Sequence, residues 1–311
     1  MAQSSSFPHL APQPVIYLVE PFGGSVRRQN ANMPHIFWDD AVATRGDGIF
    51  ETILVNNARP VNLERHLERF RRSAAQLDLP EPNPEQWRAA TREAIADYVR
   101  ERGGEDSAES AEASCVWTMS RGRATTGVPT AWLTVRPTDP EDARLRAEGV
   151  RVATAGRGYT VDSDASAPWL ALGAKTLNYT ATMAALRWAR EHGYDDIIYI
   201  DPRTERVLEG TRSTVLVVKR GNRMRTPKAG PDVMAGTTIQ AVFEYATSQG
   251  WRCASKNLYA DDLRSAQSVW LVSSVRGPVR VTHLDGAALP EPDNASEIAQ
   301  LIDASLAAQD T

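Results

Sequence analysis

Cysteine and histidine are scarce in this chain of 311 residues. Its two cysteines, Cys115 and Cys253, lie far apart and form no CxxC pair, and its five histidines form no cluster with ligand-like spacing. This composition argues against a zinc site, because structural zinc needs several closely spaced cysteines or histidines. It also provides no disulfide framework. We therefore expect a reducing, cytoplasmic location and no bound metal.

Long apolar runs and an excess of positive charge are also lacking. No apolar segment approaches the roughly 20 residues that span a bilayer. The opening residues, MAQSSSFPHLAPQP, lack the basic and apolar regions of a secretory signal. The formal net charge of -4 gives no electrostatic reason to expect nucleic acid or an anionic membrane as a partner.

Glycine motifs for nucleotides are missing too, since the chain contains neither a P-loop nor GxGxxG. Its second half shows no regular alternation of strands and helices, which argues against a doubly wound nucleotide fold. The length of the chain allows one large domain or two medium ones, and helices and strands mixed without that alternation are typical of an α+β fold. Composition predicts a disordered segment over 1–14, a smaller α/β domain over 15–157, a linker over 158–168 and a larger α+β domain over 169–311.

Hydrophobic periodicity predicts the elements that could carry a site. A strand is expected over 49–55, where Glu51 interrupts an apolar face. Apolar residues at helical spacing predict a helix over 63–78, and Arg69, at the edge of its apolar stripe, is placed to hold a phosphate. HIFW, over 35–38, is predicted as a further strand. The remaining predicted strands cover 15–19, 115–122, 130–137, 150–155, 195–201, 213–219, 268–274 and 278–283.

One lysine lies in an otherwise apolar stretch, WLALGAKTLNY, over residues 169–179. We expect Lys175 to be partly removed from water, which favours the neutral, nucleophilic amine that forms Schiff bases. The alternative is a surface lysine whose apolar stem packs on the protein while its ammonium reaches solvent.

Two further segments carry groups suited to a phosphorylated cofactor. A helix is predicted to begin at Gly236-Thr237-Thr238, where free N–H groups, two hydroxyls and the helix dipole favour an anion. The alternative is an ordinary threonine N-cap. Glu209 precedes a glycine that would let a cofactor ring approach closely. Together with Lys175, these groups match pyridoxal phosphate, which needs an amine for its aldehyde, an acid for its ring nitrogen and donors for its phosphate.

Six motifs resemble those of the class IV aminotransferases, which are pyridoxal-phosphate enzymes of fold type IV. They are RGDGIFET (45–52), HLERF (66–70), AKTLNY (174–179), LEGTRST (208–214), MAGTT (234–238) and WLVSS (270–274). The resemblance covers residues 39–285. It implies the two-domain α+β architecture of that fold type, pyridoxal 5'-phosphate as the cofactor, and a homodimer with its sites near the interface.

The resemblance also implies roles for individual residues. Lys175 would be the Schiff-base lysine, and Glu209 would pair with the pyridinium nitrogen. The residues implied to bind the phosphate are Arg69, Gly236, Thr237, Thr238 and Ser274. Those implied to lie against the ring are Met234 and Tyr179. Thr52, on the strand after the GDG turn, is a candidate for a hydroxyl near the reacting carbon.

Within the family, the pattern is most similar to actinobacterial 4-amino-4-deoxychorismate lyases, as in KTLNY and AGTTIQAVFEYA. That similarity implies release of pyruvate and 4-aminobenzoate in folate biosynthesis, with Lys175 removing a proton from the carbon that bears the substrate's amine. Thr214, where an asparagine is usual, and Ile239-Gln240, where an arginine often follows the threonines, depart from the pattern and leave the substrate open.

Two other functions remain as alternatives. A transaminase for D-amino or branched-chain amino acids would use the same cofactor residues, and a non-catalytic cofactor-binding protein would turn over no amine. The lyase substrate carries two carboxylates, for which basic side chains are expected at the cleft. By loop position the candidates are Arg121, Arg123, Arg212 and Arg276, and the alternative for each is an ordinary surface arginine.

Overall fold

The fold consists of two β-sheets with helices packed on them, as seen in a computed structural model of the chain. The residues that the structure describes are 13–103, 112–158, 168–171 and 173–307. The predictions for the N-terminal segment therefore lie outside the described residues over 1–12, and the predicted linker lies outside them over 159–167.

The first six strands form one antiparallel sheet. They are β1 (Val15–Val19), β2 (Val26–Gln29), β3 (Gly48–Asn56), β4 (Arg59–Pro60), β5 (Glu112–Ser120) and β6 (Thr130–Pro137). Their order across the sheet is β2-β1-β6-β5-β3-β4. The helices in this part of the chain are α1 (Ala41–Thr44), α2 (Leu63–Gln76) and α3 (Pro84–Glu101).

Helices α2 and α3 cover one face of this sheet. Phe70 of α2 and Trp87 of α3 are both buried, and their rings meet edge to face with centroids 4.9 Å apart. Ile49 and Ile53 of β3 join the same core, as the alternating pattern predicted. The predicted strand at 35–38 is wrong: the segment is irregular, and the side chains of Phe37 and Trp38 are exposed rather than buried against a neighbour.

The other nine strands form a mixed sheet. They are β7 (Val150–Ala155), β8 (Asp196–Ile200), β9 (Val207–Gly210), β10 (Thr214–Lys219), β11 (Arg223–Pro227), β12 (Arg252–Lys256), β13 (Ser268–Ser273), β14 (Gly277–Leu284) and β15 (Ala287–Ala288). The order is β12-β11-β10-β13-β14-β7-β8-β9, and β15 pairs with β14. Because β9 also contacts β10 and β11, the sheet curls on itself. The helices of this half are α4 (Pro140–Glu148), α5 (Thr180–Glu191), α6 (Thr237–Ser248), α7 (Ala260–Arg264) and α8 (Ala295–Ala307).

The pairing of strand β7 disagrees with the predicted domain boundary. The sequence assigned residues 150–157 to the first domain, but β7 pairs in parallel with β14 and β8 of the second sheet. Val150 and Val152 are buried in the core of that sheet, as is Leu145 of α4. The chain therefore passes from one sheet to the other between β6 and β7. The apolar pattern of this segment indicates a strand but does not specify its partner.

A short segment of the second half lies against the edge of the first sheet. The N–H of Phe50 donates to the main-chain oxygen of Lys175 at 3.0 Å, and the N–H of Leu177 donates to that of Gly48 at 2.9 Å. Gly48 suits this close approach, because an added Cβ would lie 2.8 Å from Cδ1 of Leu177 as well as 2.5 Å from the oxygen of Met119 on β5. These bonds fix the segment around Lys175 against the start of β3.

Candidate active site

The main chain of Lys175 is held from two directions. Besides the bonds to β3, its N–H donates to Ser73 Oγ at 3.1 Å, and Ser73 is buried on α2. Lys175 therefore belongs by sequence to the second half of the chain but is positioned by the first. The main chain at Lys175 is therefore bonded to both β3 and α2.

The Lys175 amine is half-buried among aromatic rings. Its Nζ lies 3.4 Å from Tyr179 Oη and 4.3 Å from the centroid of the Phe50 ring. Burial lowers the pKa of Lys175 to about 8, and the positive charge of Arg69 acts in the same direction. Burial likewise raises the pKa of Tyr179, so its hydroxyl keeps its proton near the amine. The sequence prediction of a partly desolvated lysine agrees with this environment.

Arg69, Glu51 and His66 form a buried charge network beside this amine. Arg69 donates from Nε and Nη2 to the two oxygens of Glu51, each at 2.7 Å, and Glu51 is fully buried. Burial raises the pKa of Glu51, but the charge and hydrogen bonds of Arg69 outweigh it and bring the pKa to about 2. Glu51 is therefore ionised and fixes the orientation of Arg69.

His66 extends the network toward α6. Its Nδ1 lies 2.7 Å from Glu51 Oε2, and its Nε2 lies 3.4 Å from both Thr237 Oγ1 and Ser274 Oγ. Burial lowers the pKa of His66, so the imidazole is neutral. Because Glu51 is an acceptor, Nδ1 carries the proton and Nε2 accepts from the hydroxyls.

The N-terminus of α6 presents donors next to these groups. Gly236 is its N-cap and supplies no side-chain cap, so the first N–H groups of the helix lack that acceptor. Thr237 and Thr238 are buried, and Thr238 Oγ1 lies 3.0 Å from Ser274 Oγ. Arg69 reaches this corner, with Nη1 3.4 Å from the oxygen of Ala235. The predicted phosphate-binding residues are thus brought together in space.

Glu209 forms the other end of the site. The N–H of Met234 donates to Glu209 Oε2 at 3.1 Å, and Arg157 Nη2 donates to Oε1. Met234 also connects the two ends, because its Sδ lies 3.8 Å from Arg69 Nη1. The negative charge of Glu209 raises the pKa of Tyr179, and it acts on Lys175 in the same sense. The Glu209 carboxylate, the Lys175 amine and the Arg69 guanidinium therefore influence one another electrostatically.

Thr52 was predicted to bring a hydroxyl near the reacting carbon. It lies two residues beyond Phe50 on the same face of β3, but the contact with Lys175 comes from the Phe50 ring.

Three other side chains of this site, those of His66, Glu51 and Arg157, were not predicted as site residues. His66 had a usable signal, since it is three residues before Arg69 on one helix face. Glu51 had a signal as an acid on an apolar face. Arg157 had none, because its contact with Glu209 joins separate strands.

The four arginines proposed for substrate carboxylates differ in their partners. Arg121 pairs with Asp47 at 2.8 Å and Arg123 with Asp39 at 3.0 Å. Arg276 is buried and pairs with Asp196 at 3.2 Å, which makes it part of the framework. Arg212 is exposed in the turn between β9 and β10 and has no ion pair within the described parts of the chain. Its charge lowers the pKa of Lys175, though less than burial does.

Two negative findings concern the described residues only. Within them, no group of three or more histidine, cysteine, aspartate or glutamate side chains is arranged to hold a metal ion. Over the same ranges, no helix has the length and apolar character needed to cross a membrane.

Sequence comparison gives a family and a similar protein. A sequence model described as amino-transferase class IV matches residues 48–284. A bifunctional aminodeoxychorismate lyase / D-amino acid transaminase of Mycobacterium tuberculosis is 38% identical over 280 residues, which is 88% of this chain and 94% of that protein. The similarity therefore extends over nearly the whole of both chains.

Solved structures give the same fold. A hypothetical aminotransferase of Mycobacterium tuberculosis in its PLP-bound form matches with a TM-score of 0.86 and 36% identity, covering 94% of this chain and 99% of that one. A hypothetical aminotransferase of Mycobacterium tuberculosis with α-ketoglutarate and PMP bound also matches this chain. A fold IV transaminase from Curtobacterium pusillum matches with a TM-score of 0.87 and 35% identity, covering 96% and 99%. The two-sheet architecture is thus that of fold type IV.

Proposed function

The chain belongs to the class IV aminotransferase family, and from that premise we propose that it is a pyridoxal-phosphate-dependent 4-amino-4-deoxychorismate lyase. The observation that carries the proposal is the half-buried amine of Lys175. Burial lowers its pKa to about 8, and the charges of Arg69 and Glu209 both act on it. The bifunctional relative supports the lyase reaction within the family.

Pyridoxal 5'-phosphate is the cofactor of this family, and the donors and acceptors of the site fit it. The uncapped N-terminus of α6, with the hydroxyls of Thr237 and Thr238, would hold the phosphate together with Arg69. Glu209 would hold the ring nitrogen. When bound, the cofactor supplies an aldehyde for an amine and a ring that withdraws electrons from the carbon bearing that amine.

Lys175 is the proposed base. Its neutral Nζ would take the proton from the carbon that carries the substrate's amine, and Tyr179 Oη, 3.4 Å away, would orient it. The bond between the substrate ring and its enolpyruvyl oxygen would then break, so the ring becomes aromatic and enolpyruvate leaves. Protonation of its methylene carbon by the Lys175 ammonium would give pyruvate and return the amine to its neutral form. Because aromatisation is downhill, the protein has mainly to supply orientation and a base.

Arg212 is the proposed partner for a substrate carboxylate. It is exposed in a turn and has no ion pair within the described residues, and its positive charge lowers the pKa of Lys175. A hydrogen bond from the hydroxyl of Thr211 to Asp196 Oδ1, 2.5 Å long, fixes this turn to the start of β8. A cation on a rigid turn near the amine suits an anionic substrate.

Transamination of a D-amino acid is the second candidate, because the bifunctional relative performs both reactions. It would use the same base and the same cofactor contacts, with a keto acid as the amino acceptor. The homodimer and the cytoplasmic location expected from the sequence remain predictions for either reaction, and the folate pathway remains a prediction for the lyase reaction alone.

The two candidates separate in one experiment. The cofactor-loaded protein should convert aminodeoxychorismate to pyruvate and 4-aminobenzoate in equal amounts with no keto acid present. A transaminase without lyase activity would instead convert the cofactor to its amine form with a D-amino acid and release no pyruvate from aminodeoxychorismate. Absence of turnover with every amine would contradict both and favour a binding protein. Lys175→Ala should abolish turnover and the absorbance band of the lysine-bound cofactor together.

A further inference from the structure

Arg157, just after β7, contacts the carboxylate oxygen of Glu209 that the main chain leaves free. Its Nη2 donates to Oε1, whereas the N–H of Met234 donates to Oε2 at 3.1 Å. The side chains of Arg157 and Glu209 are only 12% and 23% exposed. Water and salt therefore screen this pair weakly, and its charges act strongly on their surroundings.

Arg157 is itself held in place. Its Nη1 donates to the main-chain oxygen of Asp232 at 2.8 Å, and its guanidinium lies over the Tyr199 ring, 5.3 Å from the centroid. The Asp232 carboxylate pairs with Arg206, so it does not compete for Arg157. A guanidinium fixed at these points can set the orientation of Glu209.

We infer that Arg157 is a positioning residue that orients Glu209 and limits the positive charge on the ring nitrogen that Glu209 faces. The inference rests on the proposed function, which assigns Glu209 to that nitrogen. Arg157 competes with the nitrogen's proton for the carboxylate, and its own charge repels a second cation nearby. The other charges that Glu209 acts on in this site are those of Lys175 and Arg69.

The charge of Arg157 should also affect the balance between pyruvate release and D-amino acid transamination. A less positive ring withdraws electrons less strongly from the reacting carbon. Lyase chemistry tolerates this, because formation of an aromatic ring drives it, whereas proton transfer in transamination depends more on the electron sink. Loss of the Arg157 charge should therefore raise D-amino acid transamination relative to pyruvate release.

The test uses the protein loaded with pyridoxal phosphate that carries ¹⁵N at the ring nitrogen. The ¹⁵N chemical shift, followed against pH, reports protonation of that atom independently of turnover. Arg157→Gln keeps a hydrogen-bond donor but loses the charge, and Arg157→Lys keeps the charge. Arg280→Gln is the matched control, because Arg280 is 17% exposed and pairs with Glu291 at 3.1 Å on the same sheet.

Arg157→Gln should raise the titration midpoint of the ring nitrogen by about one pH unit. It should also raise the ratio of transamination to pyruvate release several-fold. Arg157→Lys and Arg280→Gln should match the unaltered protein in both readouts. Equal midpoints in all four proteins, or equal shifts in both Arg157 variants, would overturn the inference.

Glu209→Gln separates this result from a failure of the proposed function. If Glu209 faces the ring nitrogen, that variant should lose the proton from the nitrogen. An unchanged ¹⁵N signal in Glu209→Gln would overturn the assignment of Glu209 and the inference with it. A normal response there, with no response in Arg157→Gln, would overturn the Arg157 inference alone.

Discussion

Lys175 differs from an ordinary surface lysine in the acidity of its ammonium. Burial brings its pKa to about 8, and Arg69 adds to the effect. At pH 7 roughly a tenth of such amines are neutral, compared with fewer than about one in a thousand for a free lysine side chain. Because the neutral amine is both the nucleophile and the base, this difference is the residue-scale requirement of the proposed chemistry.

The pH dependence of labelling tests this property in the protein without cofactor. Acetylation of Lys175, measured by mass spectrometry of its peptide, should rise about tenfold per pH unit and level off near pH 8. The labelling rate levels off at this pH because the lowered pKa makes the Lys175 amine mostly neutral there, whereas a free lysine side chain is still protonated. A labelling rate that continues to climb until about pH 10, as for a free lysine side chain, would contradict a desolvated amine.

At the residue scale, the predicted desolvation of Lys175 agrees with the structure, but only part of its cause is local. The amine lies beside the rings of Tyr179, four residues away, and of Phe50 on β3, whereas Trp169 and Leu170 of the apolar run are exposed. The role of Arg157 could not be predicted, because its contact with Glu209 depends on how β7 and β9 are arranged around β8.

At the scale of elements, α2 is both a core helix and one wall of the site. One side of α2 buries Leu67 and Phe70 against the first sheet. His66, Arg69 and Ser73 are also buried but direct polar atoms to Glu51 and to the Lys175 main chain. Helical spacing of three and four residues puts these polar groups on neighbouring turns. The helix therefore couples packing of the core to placement of the amine.

Replacing the acid in this network should destabilise the fold. Glu51→Gln leaves the guanidinium of Arg69 buried without a counter-charge, which costs about 3 kcal/mol. Urea denaturation of the cofactor-free protein measures the loss. Glu68→Gln is the control on the same helix, because its pair with Arg72 is exposed and worth less than about 0.5 kcal/mol. Equal stabilities for the two variants would contradict the assigned role of Glu51.

The same variant gives a pH signature. The pKa of Glu51 is lowered from 4.5 to about 2 in the folded protein. Its contribution to stability is therefore present above pH 4.5 and is lost as the pH falls toward 2. Glu51→Gln should lack this part of the acid dependence.

Element-scale predictions succeeded for α2 and β3, where a long periodic pattern faces a single core. The strand expected at 35–38 is wrong, because three consecutive apolar residues form a strand only if a neighbouring strand buries them. Strand β7 was found but assigned to the wrong half. Parallel pairing joins it to strands that are distant in the chain, and local sequence carries no record of that partner.

At the scale of the whole molecule, the site is assembled from both sheets. Glu209 ends a strand of the second sheet, Arg69 comes from a helix on the first, and Lys175 belongs to a segment of the second half bonded to β3. Arg65 of α2 also pairs with Glu244 of α6 across this junction. The family motifs identified these groups individually, but only the tertiary arrangement puts them around one amine.

Reduction of the cofactor-loaded protein with borohydride, followed by peptide mapping, tests the central claim most directly. Reduction makes the bond between a lysine and the cofactor permanent. We predict one modified peptide, carrying the phosphopyridoxyl group on Lys175, and no modified peptide in Lys175→Ala. A phosphopyridoxyl group on any other lysine, or unchanged modification in Lys175→Ala, would contradict the assignment of this amine.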